Sequence, residues 1–180
     1  MNDSQREALL LDFVRRLKEK GSWCGETHIQ KSTYFLQEFA QVSLGLNYIF
    51  YKHGPFSFDL NDKLTALRGN MLVDLRSHPP YGPHLHPSAS AQDYLARYPK
   101  TIGTYESHMD FIVDKLADKN VAALEKLSTA LYVMLEKLGD SDDEMAEEIH
   151  RLKPHVSLSD AREALEEVGQ FKEEWSRMMS

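Results

Sequence analysis

One cysteine in 180 residues, Cys24, excludes an intrachain disulfide framework and agrees with a reducing compartment. No apolar run approaches the roughly 18 residues of a membrane span. The first twenty residues, MNDSQREALLLDFVRRLKEK, mix acids with apolar residues. They lack the basic start and unbroken apolar centre of a signal peptide, so a cytoplasmic protein without a membrane part is expected. Also missing are a glycine-rich phosphate loop, a nucleophile elbow and a paired helical His motif. No cofactor and no metal site are expected, and the expectation is a protein that is not an enzyme.

Charge is scarce in one half and one-sided in the other. Residues 1–70 hold 9 Lys/Arg against 8 Asp/Glu, residues 71–100 hold 3 against 2, and residues 101–180 hold 9 against 18. The net charge of -7 is therefore carried by the C-terminal half. Such a half repels nucleic acid and suits a basic or polar protein partner, or forms a solvated helical surface.

The helical pattern starts early. Ser4 and Glu7 have the spacing of a capping box, Leu10, Phe13, Val14 and Leu17 recur at helical spacing, and Gly21 ends the run. A second helix from Glu26 or Thr27 carries Ile29, Phe35, Leu36 and Phe39 inward. The aromatic and β-branched run NYIFYK then predicts a short strand that ends at Gly54-Pro55, because proline has no N–H to donate. Ser57 or Asp59 caps a third helix through Leu60, Leu64 and Leu67.

MLVDLRS, residues 71–77, alternates as a strand. HPPYGPHLHPSAS follows, and its prolines predict an irregular loop or wing tip. AQDYLARY, residues 91–98, suits either a return strand or a short helix. From Tyr105 the pattern is helical, with a capping box at Ser141–Glu144, a stop before Pro154 and a last helix capped by Ser157 or Ser159. The expected fold is mainly α. A winged-helix-like core with a small β element, residues 1–100, is followed by an acidic helical extension, residues 101–180, packed on it.

Within YIFYKHGPFSFDLND, Gly54 and Pro55 set a structural turn, and Phe56 and Phe58 suit core plugs. A sharper reading joins Tyr51, His53 and Phe56 with Lys31 and Tyr34 of the preceding helix into an aromatic and basic recognition patch. Cys24 and His28 are one turn apart, but a lone cysteine at a helix start is more often a small buried apolar residue. His78, His84 and His86 offer imidazoles without a cysteine or carboxylate in the same loop. DNA binding by the third helix has only Lys63 and Arg68, offset by Asp59 and Asp62.

HIQKSTYFLQEFA followed by YIFYKHGPFSFDLNDKLTAL resembles the Panacea-type domain, the SocA-like antitoxin family. Lys31, Tyr34 and Phe35 fit its K-x-x-Y-F helix, and Tyr51, Gly54, Pro55, Ser57 and Leu60 fit its Gly-Pro turn, over roughly residues 7–77. Ser32 and Thr33 stand where that family is leucine-rich, and the His- and Pro-rich loop is a second departure. The resemblance implies a winged-helix-like protein of bacterial or phage origin that binds another protein, as an antitoxin or a proteolytic adaptor. A DNA-binding winged-helix regulator is the alternative.

Overall fold

The computed structural model describes residues 1–180 and is mainly helical. Helices α1 (Asp3–Glu19), α2 (Glu26–Tyr34) and α3 (Phe58–Gly69) precede α4 (Ala91–Leu95), α5 (Pro99–Leu116), α6 (Val121–Leu135), α7 (Asp142–Leu152) and α8 (Leu158–Met178). Two antiparallel hairpins complete the fold: β1 (Ile49–Tyr51) with β2 (Gly54–Phe56), and β3 (Val73–His78) with β4 (Tyr81–Pro87). A π-helical turn, Phe35–Phe39, extends α2. No helix is long and apolar enough to cross a membrane.

The helical order α1, α2, α3 followed by the β3–β4 hairpin is that of a winged helix, with β1–β2 inserted before α3. One continuous apolar cluster contains Leu9, Phe13 and Leu17 of α1, Ile29 and Phe35, and Ile112, Leu131, Ile149 and Val168 of the later helices. The helices after residue 101 thus complete the same core. Removing an apolar face this extensive from water is what holds them there, at about 25 cal/mol per Å². Part of their acidity is also used internally, because Arg16 of α1 pairs with Glu106 and Asp110 of α5, and Lys20 lies 2.6 Å from Asp114.

One local expectation changes and others narrow to one of their alternatives. Asn2, not Ser4, caps α1, exchanging hydrogen bonds with Gln5 in a reciprocal box, since this pair reaches the free N–H groups first. Ser57 caps α3 and Ser157 caps α8. Of the two readings of residues 91–98, the short helix is the one formed, over Ala91–Leu95.

The proline-rich segment is strand β4 rather than an irregular loop. In a two-stranded sheet each strand has a free edge, so a missing N–H can face outward. Pro83 falls beside the register shift between Arg76 and His78, Pro87 ends the strand, and Pro79 and Pro80 lie in the turn. Leu85 is buried and its N–H donates to the Cys24 carbonyl at 2.9 Å, which docks the hairpin on the α1–α2 connection.

Candidate functional site

The Gly-Pro pair is the return strand of a hairpin, not a corner between strand and helix. Ile49 faces Phe56, Phe50 faces Pro55 and Tyr51 faces Gly54, so only Lys52 and His53 make the turn. Gly54 takes φ +89°, a conformation open to glycine and strained for most other residues. Its environment demands glycine a second time. A Cβ there would lie 3.2 Å from Thr129 Oγ1, 3.6 Å from Ser128 Oγ and 3.6 Å from Lys31 Nζ.

Two buried lysines hold this turn from below. Lys31, only 2% exposed, donates from Nζ to the Pro55 carbonyl at 2.7 Å. Lys153, 3% exposed at the end of α7, donates to the Lys52 carbonyl. The same ammonium lies 2.7 Å from Glu125 Oε1 of α6, forming a shielded ion pair. Phe50 lies under the same ammonium, 5.6 Å from ring centre to Nζ. His53 and His155 approach Glu125 at 3.9 and 3.8 Å from the rim.

Next along the chain, Gln30 exchanges two 2.9 Å hydrogen bonds with the backbone of Ser57 and a third with Asn61. Side chains of α2 therefore satisfy the backbone of the hairpin's exit as a neighbouring strand would. The consecutive residues Gln30 and Lys31 fix the hairpin and the start of α3 together.

The electrostatics follow from two cations and one carboxylate in a shielded place. Burial, and then repulsion from Lys153, lowers the Lys31 ammonium to about 8, against the partial support of Glu125 and Glu26. Burial pushes the Glu125 carboxyl up, but Lys153 and then His155 and His53 outweigh it, and it titrates below its ordinary value.

The residues proposed for a recognition patch divide in two. Lys31 and Tyr34 are buried, the latter 4% exposed, so neither belongs to the exposed surface of the patch: the lysine is drawn inward by an unsatisfied carbonyl and the tyrosine by the core. Tyr51 and His53 are exposed and Phe56 is half-buried. Phe58, expected in the core, is instead 56% exposed. Tyr51, Phe56 and Phe58 form one ring cluster, with centroid separations of 5.8 Å for Tyr51–Phe56, 6.0 Å for Tyr51–Phe58 and 5.0 Å for Phe56–Phe58. Ile49, on the same outward side of β1 as Tyr51, is 48% exposed.

No protein-family model matches the chain, and no curated protein matches it. The likeness to Panacea-type domains therefore rests on the motif residues alone. Within those residues, Lys31 reaches the backbone of the Gly-Pro turn.

The remaining candidates have other partners. The Cys24 thiol is fully buried against the Val14 carbonyl, and burial pushes it up, which keeps it protonated. His28 is packed near the backbone of Lys119, and burial lowers its pKa. Of the loop histidines, His78 and His84 pack with Tyr81 around Trp23, the His84 ring being 4.5 Å from that indole. No group of three His, Cys, Asp or Glu side chains converges as metal ligands. Lys153 and Glu125 were not legible in advance: a lysine before a proline and a glutamate within a leucine stripe give no local sign that they meet.

Proposed function

We propose that this protein is a non-enzymatic interaction module, antitoxin-like or adaptor in type, whose partner is another protein docked on the β1–β2 hairpin. The observation that carries the proposal is the ring cluster of exposed Tyr51 and Phe58 about half-buried Phe56, on a backbone clasped by Lys31 and Lys153. Aromatic rings that stay in water while the backbone below them is held rigid are suited to bury area on binding at little further entropic cost. The exposed Lys52 and His53 border the cluster and favour a partner whose apolar anchor is flanked by carboxylates. The resemblance to Panacea-type domains supports the same class.

A photo-reactive residue in place of Phe58 would capture the partner for identification by mass spectrometry, and the purified pair would then be titrated calorimetrically. Saturable binding that Tyr51→Ala weakens supports the reading. A chain that binds no protein through this face but shifts DNA in a salt-sensitive way supports the regulator instead.

A further inference from the structure

Beside the hairpin, reached from β1 by Ile49, lies a cavity of about 140 Å³. Its volume is comparable with the roughly 150 Å³ of engineered cavities that hold one small ring molecule. Tyr34, Tyr48 and Tyr132 supply aromatic walls, Pro55 closes one side, and Glu38 and Glu136 bring two carboxylates. The Tyr34 and Tyr48 rings meet edge to face at 4.9 Å, and Tyr132 is braced by Phe50 at 4.8 Å.

Three features point to one kind of ligand. Neither Glu38 nor Glu136 forms an ion pair within the fold; Glu38 accepts a 2.7 Å hydrogen bond from Gln37 Nε2, a neutral donor that leaves its charge uncompensated. The Tyr48 hydroxyl is buried and has no hydrogen-bond partner, and its oxygen can accept from a lysine ammonium though not from a quaternary one. The walls are also pre-formed. Gln37 grips the backbone of Leu46 from both sides at 2.9 and 2.8 Å, and Asp59 holds Asn47, so the segment carrying Tyr48 is fixed before any ligand arrives.

We infer that this aromatic and acidic cavity binds an ammonium head group, either a small quaternary ammonium or a lysine side chain of a peptide. The faces of tyrosine rings attract a cation, and unpaired carboxylates at the mouth add charge without the cost of breaking an existing pair. Burial, then the charge of Glu38, pushes the phenols of Tyr34 and Tyr48 up, which keeps them neutral in the presence of a cation. The cavity adjoins the exposed ring cluster, sharing Ile49 with that face, but its lining of tyrosines and carboxylates selects a ligand by charge.

The test is a nuclear magnetic resonance titration of the full chain with choline, with its neutral isostere 3,3-dimethylbutanol, and with a short peptide bearing lysine or trimethyllysine. Choline or a lysine peptide should give saturable shifts at Ile49, Pro55 and Tyr132–Glu136. The neutral isostere should bind about tenfold more weakly, and Glu136→Gln, at an exposed position, should weaken the cation roughly threefold to tenfold. Binding of choline alone assigns the site to free cations, and tighter binding of a peptide assigns it to a side chain; either supports the inference. Equal binding of the isostere, no saturable shift with any cation, or full affinity in Glu136→Gln combined with Glu38→Gln would overturn it.

Discussion

Lys31 Nζ donates a 2.7 Å hydrogen bond to the carbonyl of Pro55, joining the middle of α2 to the return strand of the hairpin through a fully buried cation. Folding lowers the pKa of that ammonium to about 8, so between pH 8 and its ordinary value the unfolded chain binds the extra proton. Stability therefore rises with pH across this window, and falls as pH drops toward 8. Denaturant titrations from pH 7.5 to 9.5 should show an increase on the order of 1–2 kcal/mol. Lys31→Met should remove this slope and, by leaving the Pro55 carbonyl without its donor, cost about 1–3 kcal/mol at pH 9.5.

Gly54 and Gly103 should respond to alanine with opposite signs. At Gly54 the backbone conformation and the contact with Thr129 both resist a methyl group, and Gly54→Ala should lose about 1–3 kcal/mol. Gly103 is exposed within α5 with open space around it, and Gly103→Ala should gain roughly 0.5–1 kcal/mol. Equilibrium unfolding of the two variants decides the matter.

Lys153 and Glu125 should be strongly coupled. Lys153→Met leaves a shielded carboxylate with only the two rim histidines and the nearby Lys31 ammonium as counter-charges, at a cost of about 2–4 kcal/mol, reduced because Glu125 keeps some contact with water. Adding Glu125→Gln should restore about 1–2 kcal/mol in a double-mutant cycle. Because the Glu125 carboxyl is depressed in the fold, its contribution is present above its unfolded pKa and is lost as pH falls through the folded value.

Cys24 should resist thiol reagents in the native state, with labelling limited by opening of the fold. The thiol has no exposure, and burial disfavours the thiolate. Stoichiometric labelling within seconds under native conditions would point to an accessible, activated cysteine and revive the reading with His28.

Much of the helical architecture was legible because apolar residues recur at helical spacing, as Leu10, Phe13, Val14 and Leu17 do in α1, but the spacing does not show that α1 is buried on every side from Ala8 to Val14. The hairpins were harder. Gly54 and Pro55 carry turn chemistry, but that they return as a strand depends on Lys31, Ser128 and Thr129 from distant segments. The prolines of β4 read as loop residues because local propensity does not register a free sheet edge or a bulge. Lys31 and Tyr34 stand out in the sequence as surface groups, and the fold buries both. A charged side chain looks solvent-bound until the carbonyl it must satisfy is in place. Phe58 erred in the opposite sense, as an aromatic residue left outside.

The most direct test of the docking surface is the dissociation constant of the captured partner for the native chain and for Tyr51→Ala combined with Phe58→Ala. Both positions are exposed, so the double variant should keep its circular dichroism and melting temperature within a few degrees. The affinity should fall by about thirtyfold or more, as for loss of an interface hot spot. An unchanged dissociation constant in a correctly folded double variant would contradict the account.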